Sequence, residues 1–245
     1  MLMHEGGITI ESLNFSIAGI PITLTWAVFL QWFVMVFVII AALILTRKLE
    51  TVPKGKQVFV ETVVEGIYKL VDSVMGREYR SFAPYIGTIM IYMLFLNILP
   101  LVGGLRAPTS DYSVALAFAL MTFIIIQANA IKHGGLGGYL KGYTQPVAPL
   151  LPLNIMERVF VPVSLSLRLF GNITAAIIVV ELIYEGLTFI SEKVLHAIPG
   201  MTNIPILATL IPVPFHMYFD IFDGTLQMVV FSMLTMIFIK TTAEH

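Results

Sequence analysis

Apolar residues run almost without interruption from Ile22 to Leu45, from Phe82 to Val102, and from Asp111, which opens the third run, to Ile131. A helix needs about 20 such residues to cross the hydrocarbon of a bilayer, so each run predicts a membrane span. Gln57 to Met75 has a different pattern. Phe59, Val63, Ile67, Leu70 and Val74 recur at helical spacing, and Glu61, Glu65, Lys69 and Asp72 fill the other face. This predicts an amphipathic helix at the membrane interface, with a soluble partner-binding helix as the alternative. Gly103 to Pro108 interrupts the apolar pattern on one side, and the Gly- and Pro-rich stretch from Gly134 to Pro152 predicts irregular chain on the other.

The last hundred residues are built differently. From Asn154 to Leu195 only Pro162 and Gly171 interrupt the apolar part. At about 1.5 Å per residue this is roughly 60 Å of helix, against about 30 Å for an upright span. A second long segment, Ile204 to Lys240, is punctuated by Pro205, Pro212 and Pro214. The pair predicts a strongly tilted antiparallel hairpin turning near Pro199-Gly200. The fold class is therefore an all-α polytopic membrane protein: one membrane domain over 1–245, with a span at 22–45, an interfacial helix at 57–75, a hairpin of spans over 82–131, and long tilted helices at 154–195 and 204–240. The sequence shows no internal repeat.

Composition agrees with this reading. The 245 residues are 58% hydrophobic and 12% charged, where soluble domains are about half apolar and about a quarter charged. The formal net charge of -1 gives no pull toward nucleic acid. The chain has no cysteine, which excludes disulfides and thiol chemistry. Met1 to Phe15 lacks the basic segment of a signal peptide, so the first apolar run is read as a retained span. Arg47, Lys48, Lys54 and Lys56 follow that span, and Lys132, His133 and Lys141 follow the third. The positive-inside rule puts both groups in the cytoplasm, the N-terminus outside and the C-terminus inside, in the plasma or inner membrane of a cell.

The polar residues inside the apolar runs carry the functional signal, because a charge at membrane depth costs about 2.5–3.5 kcal/mol on insertion scales. Arg168 has at least ten mostly apolar residues on either side, and Ser164, Arg168 and Asn172 are spaced by four, a polar stripe on one helix face. The plain alternative is an arginine satisfied inside a static bundle. His216, Asp220, Asp223 and Gln227 are spaced four, three and four, which on a continuous α-helix also makes one face. Two carboxylates and an imidazole in line suit a hydrated ion path, and the alternative is a pair of acids at the water interface. Glu181 and Glu185 form a further pair one turn apart, and Asp111 is placed either to cap its helix or to take a functional part. Gln31, Asn97, Gln127 and Asn129 read as amides bonding between helices. There is no phosphate-binding loop, metal-ligand cluster or nucleophile with its base, so movement of an ion fits better than bond chemistry, and no cofactor is implied.

Ser164-Leu-Ser-Leu-Arg-Leu-Phe-Gly-Asn172 resembles the arginine motif of subunit a of the F-type ATP synthases. Pro108-Thr-Ser-Asp111 is similar to that family's Pro-Thr-x-Asp element, and Thr225 to Thr235 is similar to its terminal helix, with Gln227 at the glutamine position. The resemblance covers the chain from end to end. It implies a stator ion channel with two offset half-channels passing protons or sodium ions to and from a rotor ring of c subunits, non-catalytic by itself, with a b-subunit peripheral stalk, the remaining synthase subunits and membrane lipids as partners. It implies that Arg168 meets the rotor carboxylate, that Asn172 and Gln227 line the contact, that Ser164 belongs to the cytoplasmic half-channel and Asp111 to the outer one. Many members carry a glutamate nine residues after the arginine, where this chain has Ile177, with Glu181 one turn further on. Members often have histidine or glutamate seven residues before the glutamine, and this chain has Asp220 there, with Asp223 and His216 nearby. The implied outer path is therefore lined by Asp220, Asp223 and Glu181. A secondary transporter using Arg168 as an anion ligand is the alternative function, and it predicts internal symmetry and flux without a rotor. A membrane scaffold locked by Arg168 predicts that neutral replacements alter assembly and not flux.

Overall fold

The computed structural model describes residues 13–17, 20–47, 49–101, 107–144, 148–195 and 211–244. Among these the long elements are helices: α1 (Trp26–Thr46), α2 (Lys56–Val74), α3 (Ala83–Ile98), α4 (Tyr112–Gly142), α5 (Leu151–Leu195), α6 (Pro212–His216) and α7 (Gly224–Glu244). A π-helical turn, Met217–Asp223, joins α6 to α7. Five helical stretches are long and apolar enough to cross a membrane, so the all-α polytopic class holds. The expected turn at Pro199-Gly200 and the start of the last segment at Ile204 lie outside the described residues.

Two features differ from the sequence reading. An antiparallel strand pair, β1 (Leu13–Ile17) and β2 (Ile20–Leu24), precedes α1, with Phe15 opposite Ile22 and Ser16 opposite Pro21. The apolar run beginning at Ile22 therefore starts as strand, and the helix begins only after Thr25. The described part of the 134–152 stretch is also largely helical. Gly135 takes φ 65° and ψ 169°, a conformation open to glycine, and α4 then resumes to Gly142. Gly135 kinks the helix without ending it.

The interior forms where α4 meets α5 and α7 and where α7 meets α3. Ala115, Ala119, Thr122, Ile126 and Asn129 make a buried stripe along α4, mostly of small side chains that let backbones approach. Phe118 meets Phe231 of α7 edge-on, with ring centroids 6.4 Å apart. The amide reading of the sequence holds for Asn129, which donates to the Ile239 carbonyl at 3.2 Å. A second apolar cluster, with Val71, Met75, Ile86, Met236 and Ile239 at its centre, seats α2 against the body. A Cβ added at Gly87 of α3 would lie 2.9 Å from Ile67 of α2, so glycine permits that close contact. Phe59, on the face of α2 read as apolar, is 70% exposed, whereas Ile67, Leu70 and Val74 pack inward.

The α5 helix is 45 residues long, about 68 Å at 1.5 Å per residue, more than twice the roughly 30 Å of hydrocarbon. Pro162 lies inside it and is buried, so the Arg158 carbonyl one turn back lacks its helical donor.

Candidate functional site

Arg168 is carried on a helix whose opposite face is fixed by packing. Leu165, Leu169 and Ile173 are buried in the main core, while Leu167 is 53% exposed. Arg168 stands at the edge of the exposed face, partly accessible. Among the described residues no carboxylate pairs with it. Ser164 is exposed one turn before it. Asn172, one turn after, donates from Nδ2 to Gln227 Oε1 of α7 at 2.8 Å. Gln227 is 2% exposed, and its Nε2 has no partner among the described residues. The two residues thus join α5 to α7 immediately beside the arginine.

Further along α5 a cavity of about 210 Å³ opens between that helix, the π turn and the end of α3. It has room for several waters. Ile177, Val180, Glu181 and Tyr184 form one wall, and Phe219, Asp220, Asp223 and Gly224 form the other, with Asn97 at the base. The three acids read from the sequence as the outer path, Asp220, Asp223 and Glu181, therefore line one cavity. Ile177, standing where the resemblance implies a glutamate, is on the same wall, and Glu181 reaches that wall from one turn further on.

The straight stripe from His216 to Gln227 is not present. It required a continuous α-helix, and Met217–Asp223 is π-helical. A π turn holds more residues than an α turn, which takes Asp220 out of line with Gln227; Asp220 and Asp223 line the cavity, and Gln227 meets Asn172. The side chain of His216 lies outside what the structure describes. Asp111 does not line the cavity. Its Oδ1 accepts from the Ser113 backbone N–H at 2.9 Å, capping α4, and its Oδ2 accepts from the Thr25 hydroxyl at 3.1 Å. Glu185 is exposed on α5 beyond the cavity.

Two groups escaped sequence reasoning. Asn97 was one amide among four, yet it is bonded on both sides at the base of the cavity, to Gly224 and to Thr109. At the other end of α5, the Arg158 guanidinium stacks 4.9 Å from the Tyr139 ring centroid and 4.2 Å from that of Tyr143. Tyr139 donates to Gln127 Oε1 at 2.8 Å, and Asn154 donates to the Tyr143 carbonyl at 2.8 Å. Burial, followed by the hydrogen bond its O–H makes to Tyr139, pushes the Tyr143 phenol above its usual range. Tyr139/Tyr143 and Asn154/Arg158 are each spaced by four, a match hidden by reading the segment of the two tyrosines as irregular.

The site can steer a cation along a carboxylate-lined cavity and present a fixed positive charge on an open flank. Comparison with known proteins bears on who uses it. The sequence family described as ATP synthase A chain matches residues 28–240. ATP synthase subunit a of Moorella thermoacetica is 34% identical over 219 residues, covering 89% of this chain and 91% of that relative. The sodium ion specific ATP synthase subunit a of Propionigenium modestum is 32% identical over 253 residues, covering 97% of this chain and 80% of that relative. A chloroplastic ATP synthase subunit a from Stigeoclonium helveticum is 35% identical over 225 residues, covering 87% and 82%. With a match that reaches from the first candidate membrane helix into the last, the chain belongs to the ATP synthase A chain family.

Proposed function

We propose that Arg168 acts on the exposed flank of α5 against a carboxylate carried by a moving c-subunit ring, and that the acid-lined cavity is the outer half-channel leading to it. The chain is the ion-channel stator subunit of an F-type ATP synthase, a multi-pass membrane protein that is not catalytic by itself. The observation that carries the assignment of Arg168 is an arginine at membrane depth, partly accessible, with no carboxylate partner among the described residues. A charge so placed is costly unless something outside the chain pairs with it.

An ion enters from outside past Asp220, Asp223 and Glu181 and neutralises a rotor carboxylate. The neutral site enters lipid without the charge penalty, and rotation carries it round. On approaching Arg168 from the cytoplasmic side, beside Ser164, it releases its ion, because the guanidinium favours the ionised carboxylate. Arginine suits the task because its charge survives burial where a lysine can deprotonate. Asn172 and Gln227 hold α5 to α7 at the crossing. The N-terminus is outside and the C-terminus cytoplasmic, with a b-subunit stalk as the further stator partner. The ion is a proton or sodium; the carboxylate that selects it belongs to the ring.

In membranes holding the whole complex, Arg168→Ala reduces ion-driven ATP synthesis to background while the complex still assembles. Synthesis at the wild-type rate contradicts the assignment.

A further inference from the structure

Three separate elements meet at one buried amide. Asn97, near the end of α3, is 3% exposed. Its Nδ2 donates to the Gly224 carbonyl at 3.0 Å, and its Oδ1 accepts from the Thr109 hydroxyl at 3.0 Å. Gly224 is the first residue after the π turn, and a Cβ there would lie 2.9 Å from the Asn97 Cβ. Thr109 is fully buried in the short turn Pro108–Ser110, which leads directly into Asp111. Asp111 is held in turn by Thr25 at the start of α1.

π turns are rare and occur mostly as local insertions in α-helices. Each inserted residue rotates the chain before it by about 100°, the angle one residue subtends in an α-helix. If Met217–Asp223 relaxed to α geometry, Asp220 would swing off the cavity wall, and Asp223, next to the junction, would move less. Asn97 grips the junction itself, where the rotation would start.

We propose that Asn97 is a positioning residue of the outer ion path. Through Gly224 and Thr109 its amide holds the π turn in register, keeps Asp220 and Asp223 on the cavity opposite Glu181, and locks the Asp111 turn to the same point. The task needs one donor and one acceptor on a short side chain, which an amide supplies and a carboxylate or an aliphatic chain does not. The proposal rests on reading the cavity as the outer half-channel.

The test measures ATP synthesis by the whole complex in reconstituted vesicles while the ion concentration on each side is varied separately. Asn97→Leu matches the volume and removes both bonds. Gly224→Ala pushes on the same contact from the other side, and Thr109→Val removes one donor with little change of shape. Each is expected to raise the outer ion concentration needed for half-maximal synthesis at least threefold, with the dependence on inner concentration unchanged. Variants that alter only the amount of assembled complex, or that keep the wild-type dependence on outer ion, overturn the proposal. Should Asn97→Leu fail to assemble, Thr109→Val carries the same reading. Asp220→Asn combined with Asp223→Asn, in the same assay, separates the two ideas. If that pair leaves synthesis unchanged, the half-channel reading fails. If it abolishes synthesis while the Asn97, Gly224 and Thr109 variants behave as wild type, the positioning role alone fails.

Discussion

Helices α5 and α7 have similar apolar composition but sit in the molecule very differently. In an 18-residue apolar window of the stretch Leu151–Ser191, 11% is buried within the chain, against 39% in a window of the same length from the stretch Met217–Ala243. Both carry polar groups at membrane depth. Those of α7 are spent inside: Gln227 meets Asn172, and Ser232 and Thr235 are fully buried. Those of α5 are divided: Ser166 is buried and Asn172 reaches Gln227, whereas Ser164 is exposed and Arg168 stands at the edge of the open face. Exposure alone does not mark the partner surface, because an 18-residue apolar window of α1 is also 11% buried. Its sequence from Trp26 to Thr46 holds no ionisable side chain, so lipid can cover it. An open apolar helix that also carries a charge needs a partner of opposite sign.

The comparison can be broken in four places, taken from the largest effect down. Arg168→Ala removes the charge proposed to meet the rotor carboxylate, and ion-driven ATP synthesis should fall at least about 100-fold, to background, since no other basic group on α5 lies at that depth. Phe231→Ala opens a cavity in the buried face of α7, and denaturant titration of the purified chain should show a loss of about 3–5 kcal/mol, whereas Phe189→Ala, on the open face of α5, should cost less than about 0.5 kcal/mol. An equal cost at both would mean that the open face is packed. Asp220→Asn with Asp223→Asn should slow ion flux through the complex at least about tenfold, equivalent to about 1.4 kcal/mol of barrier; unchanged flux would return these acids to the role of interface solubilisers. Asn172→Ala removes one interhelical hydrogen bond, worth about 0.6 kcal/mol on average in membrane proteins, and should lower thermal stability slightly while leaving Arg168 in place.

Much of this arrangement is legible in the sequence because it rests on runs and periods. The apolar runs mark the helices, and a spacing of four marks Ser164, Arg168 and Asn172 as one face of α5. The parts that were not legible depend on contacts between distant segments. The π turn cannot be read from Met217–Asp223, because the surroundings that hold it, Asn97 and Thr109, lie more than a hundred residues away in the chain. Gly135 looked like a terminator and proved to be a kink, because the residues after it find Arg158 and Asn154 to pack on. Asp111 was open to two readings from sequence, and its bonds to Ser113 and Thr25 give it a capping and tethering role whatever it does for ions.

The central claim is that the open face of α5 meets the rotor carboxylate. The chain has no cysteine, so single cysteines can be introduced against a clean background. Leu167→Cys sits on the open face at 53% exposure and Leu165→Cys on the buried face at 1%. With a second cysteine placed beside the carboxylate of the ring subunit, mild oxidation in native membranes should join Leu167→Cys to the ring and leave Leu165→Cys unlinked. Cross-linking of Leu165→Cys in place of Leu167→Cys, or of neither, would contradict the account.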